Sequence, residues 1–418
     1  MTHLGLVSAT GTCSKGFDVV CFDRNEELVP DLQAGRLPVL EPGLDDMLAS
    51  NGGRQIFTSD PADLKTCDVV YIAPDVPTDD HGQSDLRDVS ALIDLVVPQL
   101  SNAAVLVILC QVPPGFTRSL DFPTDRLFYQ VETLIFGRAV ERAVAPERFI
   151  VGCADPAAAL PGRYRQLLEA FGCPILPMRY ESAELAKISI NMCLVASIGV
   201  ANTLAELCEN IGADWQEIVP ALKLDGRIGQ FSYLAPGLGI AGGNLERDLA
   251  TVLRLSERHG TDGGIVSAWI ANSRHRRDWA AHVLRDTVLS AHDDPLIAVW
   301  GLAYKENTHS VKNSPSLATL GQFPACRFKV HDPAVPVDAA GHARAEPAGS
   351  ALDAAAQADA LMILTPWPEY GTVTPLEIAD ALAGTTVIDP YRVLDGQTCT
   401  AAGLTYHTLG MAPLDAKK

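Results

Sequence analysis

Short, unbroken apolar runs, each closed by Gly, Pro or Asp, constrain this 418-residue chain more than any other feature. Val19–Phe22 ends in Asp23, Asp68–Ile72 reads DVVYI, and Val105–Cys110 reads VLVILC. Phe149–Gly152 and Pro174–Leu176 continue the series. A strand with one wet face alternates apolar and polar residues. A run that is apolar at every position fits a strand covered on both faces, as in a parallel sheet between helices. A second series begins near Leu296, with IAVWG (Ile297–Gly301), FKVHD (Phe328–Asp332), ALMILT (Ala360–Thr365) and TTVID (Thr385–Asp389). Helical stretches at Ser350–Ala358 and Pro375–Leu382 fall between these strands.

Glu181–Asn210 has no Pro, and its apolar residues recur at helical spacing (Leu185, Ile188, Leu194, Ile198, Ala201, Leu204, Leu207) up to Gly212. So long a helix either joins domains and builds a dimer seam, or is a buried core helix. The expected fold is α/β, with two Rossmann-like parallel-sheet domains joined by a long central helix. The expected domains are 1–178, 179–290 and 291–418, with a frayed tail after Met411.

A net charge of −19, with no Lys/Arg run, speaks against nucleic acid as a partner. Ten scattered cysteines form no CxxC pair and sit beside no His at metal-ligand spacing, so no metal site is expected. No signal peptide is visible, and the longest apolar run, Ala103–Cys110, is far short of the ~20 residues that span a bilayer. The expectation is a soluble, cytoplasmic protein without a membrane partner.

Asp23, at the end of its strand, is placed to accept hydrogen bonds from an adenosine ribose. The matching G-x-G-x-x-G fingerprint is incomplete: Gly5 stands as its last glycine and Thr2 where the second would be. Either the natural protein begins upstream of Met1 or the cofactor site is broken. If the chain is as made, its sheet loses a central strand and leaves neighbouring backbone groups unpaired. Gln111–Thr117 (QVPPGFT) follows a buried strand, where open parallel sheets bind ligands, though a plain Pro/Gly turn reads the same way. Tyr233–Asp248 packs four glycines and a proline ahead of Asn244, Arg247 and Asp248. Its N–H groups can wrap a polar ligand before a helix at Leu249–Arg258. Gly301–Thr308 carries Lys305, which is either a phosphate-neutralising cation or an ordinary surface lysine.

In order along the chain, these segments resemble the UDP-glucose/GDP-mannose dehydrogenase family, and its UDP-glucose branch above the other. Gly35–Leu44 (GRLPVLEPGL) is similar to the family's G-R-x-P-x-x-E-P-G-L stretch, and Val112-Pro113 with Gly115 to its T-V-P-x-G-T turn. Ala183-Glu184 with Lys187 and Asn191 is similar to A-E-x-x-K-x-x-x-N. Asp225–Gly229, Gly301–Thr308 and Ile363–Glu369 also match. The resemblance implies NAD-dependent oxidation of a UDP-sugar by a homodimer. It implies Glu132 as the residue working with a bound water, Lys187 and Asn191 as the oxyanion-stabilising pair, and Asp248 as assisting water or base chemistry. Cofactor contacts are implied at Gly5, Asp23, Pro77, Gln111, Arg247 and Lys312. Substrate contacts are implied at Tyr233, Gly239, Gly242 and Lys305.

Three departures stand out. Where the family has G-G-S-C-F-x-K-D, this chain reads Gly242-Gly243-Asn244-Leu245-Glu246-Arg247-Asp248, so Asn244 replaces the nucleophilic cysteine. Phe136 replaces a glutamate, and Asp75-Val76 replaces a Gly-Thr beside the cofactor. The expected function is atypical NAD-dependent UDP-sugar oxidation at a CH–OH carbon; the alternative is a non-catalytic nucleotide-sugar-binding remnant.

Overall fold

A computed structural model describes residues 1–77, 79, 84–292 and 294–416, arranged as two compact units, 1–190 and 191–418. The first unit opens on helix His3–Ser14, followed by strand β1 (Val19–Phe22). Strands β2 (Gln55–Thr58), β3 (Val69–Ile72), β4 (Val105–Ile108), β5 (Leu127–Gln130), β6 (Phe149–Cys153) and β7 (Ile175–Arg179) follow.

β2 and β5 were not expected, for different reasons. β2 is only half apolar and shows alternate burial. In β5 the fourth buried residue is Gln130, whose Oε1 accepts from the Tyr71 and Tyr164 hydroxyls. A satisfied polar residue hides a buried strand from any count of apolar runs.

β1 and β2 pair in parallel as a two-stranded piece, and the rest form a separate sheet in the order β3-β4-β5-β6-β7. All neighbours in it are parallel except β5 and β6.

The long helix runs Tyr180–Ile211 and stops at Gly212, whose φ of +76° is the left-handed conformation that ends helices. By length and composition alone it is apolar enough to cross a bilayer. The division between the two units falls inside it, after Ile190.

The second unit holds helices Trp215–Leu224, Asn244–His259 and Gly264–Arg277, then a six-stranded sheet. Its strands are β8 (Leu296–Trp300), β9 (Arg327–His331), β10 (Ala345–Pro347), β11 (Ala360–Ile363), β12 (Thr386–Ile388) and β13 (Thr405–His407). Every pairing is parallel, in the order β10-β9-β8-β11-β12-β13. This is the strand order 3-2-1-4-5-6 of dinucleotide-binding folds, whose ligand crevice opens between the first and fourth strands. Here those are β8 and β11.

Residues 412–416 are not frayed as expected of the tail after Met411, whose last two residues lie outside the described ones. Leu414 exchanges two 2.9 Å backbone hydrogen bonds with Tyr406. Just before them, Gly410 donates to Glu209, and its carbonyl accepts from Trp215. Glu209 also binds the buried Arg276 at 2.7 Å and the Trp279 indole at 3.1 Å. Residues 410–414 are held by a buried ion pair and a strand bridge, features that sequence periodicity does not carry.

Candidate active site

In the first unit, Lys187 Nζ lies 3.6 Å from a carboxylate oxygen of Glu132, both side chains being largely covered. The other Glu132 oxygen accepts from the Leu134 backbone N–H, which fixes the carboxylate at the start of loop 131–138. That loop is anchored at its far end by Glu41. The Glu41 carboxylate accepts from Gly137 N (3.0 Å) and Ala139 N (2.8 Å) and pairs with His3 Nε2 at 2.9 Å. The His3 ring in turn stacks on Phe136, centroids 4.2 Å apart. The position of the expected second glutamate therefore carries an aromatic lid over a buried His–Glu pair.

One turn before Lys187, the fully buried Glu184 accepts from Gly115 N (2.6 Å) and Thr117 N (2.9 Å), fixing the turn after β4 that follows Gln111. Burial raises the pKa of Glu184 above the usual carboxylate value, against the pull of those donors. Glu41 and Glu184 both stand in segments compared with the family, yet neither had a role. Their signal was a charged residue among positions that pack.

Gly5 is buried in the first turn of helix His3–Ser14, where an added Cβ would meet the Ala73 carbonyl at 3.5 Å. Asp23 follows β1, with its carboxylate against the Met1 amino group and accepting from Asn25 N at 2.9 Å. Pro77 is exposed, and its carbonyl accepts from Asp85 N at 2.8 Å.

In the second unit, Asn191 Nδ2 donates to Asp248 Oδ2 at 2.6 Å, and both residues are buried. Arg247 Nε lies 3.5 Å from Asp248 Oδ1. An amide carries two N–H donors, so Asp248 orients Asn191 and leaves its second donor for another acceptor. Helix Asn244–His259 begins five residues before the expected Leu249, so Asn244, Arg247 and Asp248 all lie in its first turns. Asn244 is exposed at its first position.

Several N–H groups of the glycine loop serve the protein itself, so fewer are left to meet a ligand than its composition suggests. Gly237 N donates to Asn202 Oδ1 (2.9 Å), Ile240 N to Ser273 Oγ (2.7 Å) and Gly242 N to the Lys312 carbonyl (3.1 Å). Asn313 Nδ2 closes the junction on the Gly242 carbonyl at 2.9 Å. Gly239 has φ +73°, and an added Cβ would sit 2.3 Å from the Ser273 carbonyl, so no other residue fits. The loop is a stitched wall whose shape is fixed in advance. Tyr233 is half-exposed on the approach to it, and Lys305 and Lys312 lie on the segment it is stitched to.

Among the described residues no cluster of His, Cys, Asp and Glu could hold a metal ion. All ten cysteines are free. Burial pushes the thiols of Cys13, Cys21, Cys67, Cys110, Cys153, Cys173, Cys208, Cys326 and Cys399 above their usual value. Cys193 is exposed on the long helix.

Residues 1–171 match the NAD binding domain of the UDP-glucose/GDP-mannose dehydrogenase family, 181–274 its central domain, and 298–396 its UDP binding domain. The chain belongs to the UDP-glucose/GDP-mannose dehydrogenase family. Similar members include UDP-glucose 6-dehydrogenase TuaD of Bacillus subtilis, 29% identical, with 98% of this chain and 91% of that protein aligned. The UDP-glucose 6-dehydrogenase of Rhizobium meliloti is also 29% identical, over 98% and 97% of the two chains. Among solved structures, a UDP-glucose dehydrogenase from Pyrobaculum islandicum superposes with a TM-score of 0.85 at 26% identity, covering 98% of this chain and 96% of that one.

The residues present fit the family's dinucleotide at its adenosine end. Asp23, directly after β1, suits ribose hydroxyls. Gln111 and the turn fixed by Glu184 lie at the C-terminal end of β4, where such sheets take their ligands.

Proposed function

We propose that this dehydrogenase-family chain oxidises a CH–OH carbon of a UDP-sugar by a single NAD-dependent hydride transfer. The Lys187–Glu132 pair supports this reading most directly. A largely covered ammonium favours the developing alkoxide of a sugar hydroxyl. Glu132, held beside it by Leu134 N, is placed to move the hydroxyl proton through a bound water. Asn191, one turn beyond Lys187 on the same helix and oriented by Asp248, supplies a second neutral donor. NAD, when bound, would supply the hydride acceptor that turns the sugar carbinol into a carbonyl. The UDP part falls to the second unit, where the Gly301–Lys305 turn and the stitched glycine loop lie.

Oxidation beyond the aldehyde needs a tetrahedral adduct, and the family resemblance places a thiol at the start of helix Asn244–His259. Asn244 stands there, and an amide forms no such adduct. Nine of the ten cysteines have thiols that burial makes poor nucleophiles, and Cys193 lies on another helix. A single oxidation step follows.

The same reading includes a homodimer. Val200, Leu204, Leu207 and Ile211 are each at least 40% exposed and recur at one-face spacing on the long helix. A second copy explains that stripe better than a bilayer does. The helix also carries Glu184, Lys187, Asn191, Glu206 and Glu209, which bind protein groups. Residues 1–178, 179–290 and 291–418 serve in this scheme as cofactor, dimerisation and UDP-sugar parts, in a cytoplasmic protein.

Lys187→Ala tests the catalytic reading. Removing one preorganised oxyanion donor costs roughly 10²–10³-fold in kcat. Turnover of UDP-glucose with NAD should fall by about that much with little change in melting temperature. Unchanged turnover would refute the assignment.

A further inference from the structure

In a dinucleotide-binding sheet the N–H groups just after the first strand cradle a pyrophosphate, and an acidic residue after the second strand takes the ribose. The second unit has the same strand order, with β8 as its first strand and β9 as its second. Here the acid turns on the loop itself. Asp332, directly after β9, accepts from Leu302 N (2.6 Å) and Ala303 N (3.0 Å), the two residues that follow Gly301. The same oxygen accepts from the Trp367 indole at 3.2 Å, and the other accepts from Ala334 N and Val335 N, each at 2.8 Å. One carboxylate thus takes five donors, two of them the groups that would otherwise face a phosphate.

The other side of those peptides is fixed as well. Ser314 Oγ donates to the Leu302 carbonyl, and Thr365 Oγ1 to the Ala303 carbonyl, each at 2.7 Å. Gly301, at φ +99°, permits the turn, since an added Cβ would lie 2.3 Å from Thr365 Cβ. The peptides of Leu302 and Ala303 are therefore pinned at both ends, two residues before Lys305. Directly before Lys305, Tyr304 N donates to the Ser310 carbonyl at 3.0 Å, and the Tyr304 ring packs against Gly242.

We propose that Asp332 is a positioning residue of the UDP-sugar site. It occupies the phosphate cradle of its own sheet with a carboxylate, which locks turn 301–304 and sets where Lys305 presents its ammonium. The proposal rests on the reading of Lys305 as a UDP-sugar contact. It also predicts that the second unit takes no dinucleotide in that crevice, since the cradle's donors are already used.

The test is calorimetric titration of UDP-glucose into the full chain, independent of NAD and of turnover, for wild type, K305A, D332A, D332N and D332A/K305A. Lys305→Ala and Asp332→Ala should each weaken binding roughly 10- to 100-fold, the range of one charged hydrogen bond. The double variant should bind no more weakly than K305A alone, because Asp332 acts through Lys305. Asp332→Asn keeps one acceptor oxygen and should recover part of the loss, so the test survives if D332A does not fold. Multiplying penalties in the double variant, or wild-type affinity in D332A and D332N, would overturn the positioning role. No binding by wild type would overturn the functional reading itself, and a K305A chain that binds normally would overturn the role given to Lys305.

Discussion

Glu41→Ala is the perturbation whose size the structure defines best. The Glu41 carboxylate is 4% exposed and serves three donors, Gly137 N, Ala139 N and the His3 ring. Its removal leaves two backbone N–H groups under loop 131–138 without an acceptor. A buried unsatisfied group costs about 1–3 kcal/mol, so the loss is about 2–6 kcal/mol. For a body of this size each kcal/mol moves the melting midpoint by about 2–4 °C, which gives a drop of roughly 4–24 °C. Glu41→Gln keeps one acceptor oxygen and should show about half that drop. Scanning calorimetry reads the transition, and parallel kinetics should show kcat falling with it, because the loop carries Glu132. A Glu41→Ala midpoint within roughly 1 °C of wild type would refute the view that this carboxylate holds the loop.

Two further outcomes follow from the same geometry. Replacing Leu204 and Leu207 together by Glu puts two charges on the exposed stripe of the long helix. Light scattering should then report a monomer where the wild type is a dimer, and an unchanged dimer would remove the seam from that face. Burial lowers the pKa of His407, whose Nε2 has no hydrogen-bond partner among the described residues. Its depressed folded pKa means its contribution is intact above the ordinary value of 6.5 and is lost as pH falls below it, where the unfolded chain takes the proton first. His407→Gln should flatten the decline of stability from pH 7 towards 5 in urea titrations; an equal slope in both chains would exclude His407 as its source.

How far the sequence could be read depends on where each residue's partner lies. The strands closed by Gly301 and Thr365 were legible because burial on both faces leaves a continuous apolar run. The long helix was legible because its period repeats over 32 residues before a left-handed Gly212. Gln130, Glu41 and Asp332 were not, since what makes a buried polar residue tolerable is a set of donors from distant segments. The same reason explains the glycine loop. Its composition suggested free N–H groups, but Asn202, Ser273 and Lys312 had already taken them. Lys187 and Asn191 carried a visible spacing; their pairing with Glu132 and Asp248 was set by folding.

The central claim is a single oxidation of a UDP-sugar, and the NADH formed per UDP-glucose consumed tests it most directly. The yield is read by absorbance at exhaustion of sugar with excess NAD. The account predicts one equivalent, with a trappable carbonyl on the product. Two equivalents with an acid product would contradict the role given to Asn244. No NADH, with UDP-glucose still bound, would mean a nucleotide-sugar-binding protein without the chemistry.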